Sequence, residues 1–198
     1  MTHLIIYAHP SDNSFSNLLK NEVIRDSNAN GYKTIIRDLY KMNFNPVLTP
    51  DDLGQLKSGI VPEDIKIEQD LVKESDLLTL IFPLWWAGYP AIIKGYIDRV
   101  LSYGFAYRAD KNGIEGLMGG KKVVLFTSMG NTIAQYEAKN LLGAFQKTLG
   151  TEIFEFCGME VVHHEFFPQI PDASIELKAK YASHALQAYK KIWVEAKV

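Results

Sequence analysis

Three short stretches carry the residue types best able to do chemistry, and they lie far apart in the chain. His9-Pro10-Ser11-Asp12-Asn13-Ser14-Phe15-Ser16 is polar and rich in helix-capping side chains, so it can present unpaired backbone N–H groups to an anion. Phe82-Pro83-Leu84-Trp85-Trp86-Ala87-Gly88-Tyr89-Pro90 places two tryptophans and a tyrosine in a connection, where polar residues are the norm. Aromatic side chains there suit a flat apolar group laid against them; the competing use is a plug at the end of a core. Thr127-Ser128-Met129-Gly130-Asn131-Thr132 is small and polar, which lets backbone N–H groups come close to a planar ring.

These stretches matter only if the fold gathers them. His3 to Ala8 is a continuous apolar run without alternation, as expected for a parallel strand covered on both faces. Lys33 to Asp38, Leu77 to Pro83, Val123 to Thr127 and Ile153 to Val162 are the other expected strands. Phe15, Leu18, Leu19 and Val23 mark a helix that ends at Asn28-Ala29-Asn30-Gly31. Pro46 and Pro50 make Leu39 to Val61 a long irregular connection, and Glu63 to Glu74 reads as a surface helix.

Ile92, Ile93, Tyr96, Ile97, Val100 and Leu101 repeat at helical spacing, with Lys94, Asp98, Arg99 and Ser102 expected on the opposite face. A further helix carries Ala134, Ala138, Leu141, Leu142, Phe145 and Leu149 and stops at Gly150. Asp172 is the expected cap of a last helix whose Leu177, Tyr181, Leu186, Tyr189 and Trp193 face inward. Strand and helix alternate throughout residues 1–198, which implies one α/β domain: a parallel sheet between two helical layers, in the order 2-1-3-4-5. In such a sheet a ligand sits beyond the carboxyl ends of the strands, where the order reverses between the first and third. All three chemistry-bearing stretches fall on that edge. A phosphate-sized nest, an aromatic wall and small residues beside a planar ring are what a flavin requires.

Composition narrows the partners. A formal net charge of -2 in 198 residues offers no basic field for nucleic acid or anionic lipid. No apolar run approaches the roughly 20 residues that span a bilayer, so no membrane insertion is expected. Met1-Thr2-His3 leads straight into a strand without a basic leader, which points to the cytoplasm. Cys157 is the sole cysteine and reads as a buried thiol, with no internal disulfide available to it. His163-His164-Glu165 suggests a metal at first sight, but adjacent histidines on an extended segment point to opposite sides; solvated or interface polar residues are the better reading, and no metal is assigned. His184 reads as a structural residue of the last helix, and Asp51-Asp52 as solvated charges. The glycine fingerprint of nicotinamide-binding Rossmann domains is absent, as is the phosphate-binding loop ending in Gly-Lys-Ser or Gly-Lys-Thr.

Several separated segments carry a resemblance. Tyr7-Ala8-His9-Pro10, Ser14-Phe15, Asp38-Leu39-Tyr40-Lys41-Met42-Asn43-Phe44-Asn45-Pro46, Phe82 to Ala91, Lys94-Gly95, Gly104-Phe105-Ala106-Tyr107 and Phe156-Cys157-Gly158 follow one another as in the NAD(P)H:quinone oxidoreductases, or DT-diaphorases, which the chain resembles from Leu4 to about Val162. The resemblance implies a flavodoxin-like homodimer with tightly bound FAD, or FMN as in shorter bacterial relatives. It implies two-electron, ping-pong hydride transfer from NADH or NADPH to a quinone. By similarity His9, Ser14, Phe15 and Ser16 hold the pyrophosphate and ribityl side. Pro83, Leu84, Trp85, Trp86 and Ala87 line the ring system, and Thr127, Ser128, Met129 and Gly130 bond its pyrimidine end.

The resemblance also brings Tyr107 across the dimer interface to cover the substrate space and makes Tyr136 a hydrogen-bond donor. Gly95, Tyr96, Arg99 and Tyr103 are the expected interface residues leading to Tyr107. Two departures stand out. The family's active-site histidine falls near Leu142, and where the animal enzymes carry two consecutive glycines this chain has Met129-Gly130. Some relatives serve instead as regulatory subunits of membrane transport systems. A non-enzymatic electron carrier is a third possibility, against which the weak net charge argues.

Overall fold

A computed structural model describes residues 1–111 and 113–195, the side chains of Lys191 and of 193–195 excepted. The expected inward-facing Trp193 side chain therefore lies outside the described residues. Strand β1 (Thr2–Tyr7) leads into helix α1 (Phe15–Ala29), β2 (Lys33–Asp38), α2 (Pro50–Lys57) and α3 (Glu63–Glu74). Then come β3 (Leu77–Pro83), α4 (Ala91–Val100) and a hairpin of β4 (Tyr107–Asp110) and β5 (Gly113–Gly116). The chain continues through β6 (Lys122–Ser128), α5 (Ile133–Glu137), α6 (Leu141–Gln146), a π-helical turn (Lys147–Thr151) and α7 (Glu152–Phe154), and closes with β7 (Glu160–Phe167) and α8 (Ile175–Glu195). No described helix is long and apolar enough to cross a membrane.

The main sheet runs β2-β1-β3-β6-β7 with every pair parallel, which is the order 2-1-3-4-5 counted within that sheet. β3 is buried at all seven positions, and β1 at five of six, as their unbroken apolar runs require. One core layer packs Leu78, Leu80 and Phe82 against α3, α4 and α6. The other packs Ile5, Tyr7 and Phe126 against α1 and α8.

Several expectations need correction. The last sheet strand lies at Glu160–Phe167, not Ile153 to Val162. Leu149, Phe154 and Cys157 are buried at a spacing close to one helical turn, so that apolar run coils against the core instead of extending. The true strand is an edge strand, mostly half-buried and therefore polar. The helix after β6 breaks at Asn140, in the left-handed region at φ 54°, and Gly150 lies within the π-helical turn. Ala134 and Ala138 are exposed as a result of this break. The connection from Leu39 to Val61 contains α2, which Thr49 caps by accepting from the Asp52 N–H at 3.1 Å, with Asp52 returning the bond to the Thr49 N–H. Ser174, not Asp172, caps α8 by accepting from the Leu177 N–H, and Leu177 is exposed at that end.

Arg99 is not on a solvated face. It is 4% exposed and donates to Asp52 at 3.1 and 3.2 Å, to Asp64 at 2.6 Å and to the Asn45 carbonyl at 2.9 Å. Ser102 is buried beside it in the chain, accepting from the Gln69 amide. Asp52 is likewise buried, not solvated. Burial alone would raise its pKa, but the bonds from Arg99 and Thr49 outweigh that and hold the carboxyl below its usual range. Gly95 also faces inward: a Cβ there would stand 2.1 Å from the Pro46 carbonyl oxygen. Tyr96 is buried and donates to Glu68 at 3.2 Å, and Glu68 pairs with Arg37. Gly95, Tyr96 and Arg99 thus bind α4 to the rest of this chain, whereas Tyr103 stands exposed.

Candidate functional site

The carboxyl ends of β1, β3 and β6 open onto a pocket of about 270 Å³ lined by His9, Pro83, Leu84, Trp85, Ser128, Met129, Gly130, Ile170 and Pro171. The three predicted loops therefore meet. Ile170 and Pro171 were missed because they follow β7, whose position in the sequence was shifted. With that strand at Glu160–Phe167, residues 168–172 become another carboxyl-end loop of the sheet.

The aromatic loop is held from both sides. Trp85 and Gly88 exchange backbone hydrogen bonds of 3.1 and 3.0 Å, closing a hairpin with Trp86 and Ala87 at its tip. Both tip residues are left-handed, at φ 50° and 58°. Such a turn normally takes Asn-Gly, and each side chain with a Cβ costs about 1–2 kcal/mol in that region. Trp86 is wholly exposed at 102%, whereas Trp85 stands partly exposed against His9 with ring centroids 5.9 Å apart. Tyr89 anchors the far end: its ring packs on Phe82 at 4.7 Å and its hydroxyl donates to the Leu149 carbonyl in the π-helical turn. Burial pushes its pKa up, so the hydroxyl keeps its proton.

His9 is half-buried, and burial lowers its pKa. Its Nδ1 accepts from the Ser11 N–H at 3.0 Å, which places the ring proton on Nε2 and makes that atom a donor. Ser14 caps α1 by accepting from the Asn17 N–H at 3.1 Å, and the first turn of α1 contains no acidic residue. Ser16 is buried with its hydroxyl 3.4 Å from that of Ser128. The Phe15 side chain belongs to the core, edge-on to Phe167 at 5.2 Å, so only its backbone faces the loop.

On the β6 side, Thr127 is fully buried with its hydroxyl 3.1 Å from Nε2 of His164. Contrary to expectation His164 is not solvated: it stacks at 4.2 Å on Phe166, and burial first, then His163, lowers its pKa to about 4. His184, on α8, is exposed and stands 3.6 Å from Glu165. Met129 is 2% exposed; its N–H is spent on the Phe167 carbonyl at 2.8 Å and its carbonyl on the Ile170 N–H at 3.0 Å. Gly130 is thus the first residue of this loop to reach the open mouth, with no atom within 4 Å of a Cβ placed on it.

The two tyrosines lie away from this pocket. Tyr136 packs edge-on to Phe145 at 5.6 Å and Tyr107 edge-on to Phe156 at 5.0 Å, and neither lines the 270 Å³ pocket. Tyr107 instead borders an apolar groove of about 410 Å³ with Leu48, Leu53, Leu56, Leu101 and Tyr103. Cys157, buried on the far side of Tyr107, has its thiol pKa pushed up to about 11 by burial.

A doubly wound parallel sheet with its pocket at the strand-order reversal defines the class of flavodoxin-type ligand-binding proteins. The chain belongs to the family described by its flavodoxin-like fold, which matches residues 1–192. It is 41% identical over 191 residues to an uncharacterized NAD(P)H oxidoreductase of Haemophilus influenzae, covering 96% of this chain and 94% of that one. It is 34% identical over 216 residues to the ribosyldihydronicotinamide dehydrogenase [quinone] of Pongo abelii, covering 97% and 92%. The solved NAD(P)H:quinone oxidoreductase of Methanothermobacter marburgensis superposes with a TM-score of 0.83 at 27% identity, over 97% of this chain and 98% of that one.

Proposed function

We propose that the protein is a flavin-dependent NAD(P)H:quinone oxidoreductase acting in the cytoplasm as a homodimer, with FAD as its cofactor and FMN as the alternative. The observation that carries this reading is the pocket in which Pro83, Leu84 and Trp85 form an apolar wall opposite the open backbone of Gly130. These residues fit a flavin: the wall takes the flat face of a ring, and the Gly130 N–H can meet its polar edge. When bound, the flavin accepts a hydride equivalent from NADH or NADPH and returns two electrons to a quinone, in ping-pong order.

The protein supplies placement. Trp85 and Leu84 orient the ring and keep water from one side of it. Gly130 offers a preorganised N–H where negative charge develops, at no reorganisation cost during transfer. His9 donates through Nε2 to the anionic or ribityl part, together with the first turn of α1. The side chains of Ser14 and Ser16 keep that turn in place, whereas Thr127 and Met129 act from beneath as supports of the β6 loop.

A pocket of about 270 Å³ is small beside the roughly 300–1,000 Å³ common for ligand sites, and Trp86 and Ala87 stand exposed outside its lining. A second copy completes it in this reading. The groove beside Tyr107 and the exposed Tyr103 and Leu53 provide an apolar surface for that contact. Tyr107 then reaches the partner's substrate space, and Tyr136 supplies a hydroxyl near the β6 loop.

Steady-state kinetics of the isolated protein with NADH or NADPH and a quinone test the reading. Parallel double-reciprocal lines and rapid turnover are expected; a flavin-loaded protein that reduces no quinone, and that instead co-purifies with a membrane transporter, would favour the regulatory role. Tyr107→Ala should change the KM for the acceptor while leaving flavin content intact, and loss of flavin with unchanged acceptor kinetics would remove the role given to Tyr107.

A further inference from the structure

The two walls of the pocket share a root. The Leu84 N–H donates to the Ser128 carbonyl at 2.7 Å, where the aromatic loop leaves β3 and the next loop leaves β6. Past that bond they part: the aromatic loop folds back on itself between Trp85 and Gly88, and the β6 loop turns to Phe167 and Ile170 through the two backbone bonds of Met129. A second connection runs beneath them, through the buried Leu149 and Gly150 of the π-helical turn at Lys147–Thr151.

A π-helical turn is rare, and single ones occur frequently at functional sites. On one side of this turn the Tyr89 hydroxyl, next in the chain after the hairpin, donates to the Leu149 carbonyl. On the other side His164 lies against Gly150, where a Cβ would stand 3.3 Å from Nδ1, so the ring packs on bare backbone. Nδ1 is buried with no hydrogen-bond partner among the described residues. The single proton of the neutral ring is therefore assigned to Nε2, which donates to the Thr127 hydroxyl at 3.1 Å. Thr127 directly precedes Ser128, Met129 and Gly130 of the pocket lining. Phenylalanine and leucine could fill these two core positions; only the polar atoms of Tyr89 and His164 tie the turn to both walls. Because the turn is close-packed, a shift at one contact is felt at the other.

We propose that the π-helical turn is a strut that fixes the spacing between the aromatic wall and the β6 loop, with Tyr89 and His164 as its two positioning residues, and that this spacing sets how tightly a planar ring is held between Trp85 and Gly130. Only the ring-holding part rests on the flavin reading. The strut itself is tested on the ligand-free chain.

Amide hydrogen exchange of the full, flavin-free chain is followed by mass spectrometry in residues 84–90 and 128–131, with β1 as the reference for global loosening, and binding of FAD and FMN by quenching of flavin fluorescence. His164→Leu should speed exchange of the aromatic loop, on the far side of the turn, about 3- to 10-fold, the worth of one net hydrogen bond. Tyr89→Phe should do the same to the β6 loop. His164→Gln, whose amide can donate to Thr127 in place of Nε2, should restore most of the slow exchange. His164→Leu and Tyr89→Phe should each weaken flavin about 3- to 10-fold, and the double variant no further than the weaker single one, because a strut cut at one end transmits nothing at the other. Exchange that speeds only beside each substituted residue, or equally in β1, would reduce Tyr89 and His164 to local packing and overturn the proposal. So would affinity losses that multiply in the double variant. If exchange is coupled across the turn but the unmodified protein binds no flavin, the strut stands and the flavin reading fails; coupled exchange with equal flavin affinity in all the variants would overturn the ring-holding role alone.

Discussion

Trp85 and Ala87 are two residues apart and are asked to do different things. Trp85 presents a ring to the pocket, so Trp85→Ala should weaken flavin about tenfold by removing aromatic contact, measured by equilibrium titration; unchanged affinity would make the ring core packing only. Ala87 pays for a left-handed φ of 58°. Ala87→Gly should therefore raise stability by roughly 0.5–1 kcal/mol in urea unfolding, the relief of strain less the added chain entropy; a loss would show that the hairpin tip is unstrained. The residue types at this site were legible because aromatic residues in a loop are unusual. Their accessibility was not: Trp85 and Trp86 are adjacent and alike in sequence, yet only the hairpin decides that one lines the pocket and the other stands clear of it. Phe15 and Thr127 show the same limit, since each belongs to a site segment while its side chain is buried in the core.

Among the elements, α4 ties the site to the rest of the fold. Its N-terminus follows the aromatic loop and its C-terminal turn leads toward Tyr103 and Tyr107, while Arg99 fastens it to α2 and to Asp64 near the start of α3. Arg99→Met should destabilise the protein by about 3 kcal/mol, because Asp52 is left buried without its partner; chemical denaturation measures this, and a change below about 1 kcal/mol would mean that water replaces the pair. The Asp52 carboxyl is depressed in the folded state, so its contribution is complete above the ordinary value of about 3.9 and fades as pH falls through the lower folded value. Both α4 and β3 were readable from periodicity and unbroken apolarity. Helix polarity misplaced Arg99, since a guanidinium paired with two carboxylates can be buried where a lone charge cannot. The edge strand β7 was obscured for a related reason: half-buried strands carry His and Glu, and the stronger apolar signal of Ile153 to Cys157 belongs to a coiled segment.

At the scale of the whole molecule, a buried histidine and a half-buried one couple stability to pH. His3 is enclosed between Ser27 and Thr79 at 3.0 and 2.8 Å, and burial lowers its pKa to about 3; that of His164 is lowered to about 4. The unfolded chain binds protons near pH 6.5 that the folded one refuses, so stability is full above that value and falls as pH drops toward the folded values. Each histidine should remove up to about 2 kcal/mol by pH 5. Urea midpoints measured from about pH 7.5 down to about pH 5 check this; a flat profile would show that one or both rings protonate in place. The sheet order itself was legible from the alternation of strands and helices, and it is what brings His9, Trp85 and Gly130 to one edge. Mass spectrometry of the small molecule released from the purified protein tests the central claim most directly. The account predicts a flavin nucleotide, FAD or alternatively FMN, whereas a colourless protein that releases none and takes up none on titration would contradict it.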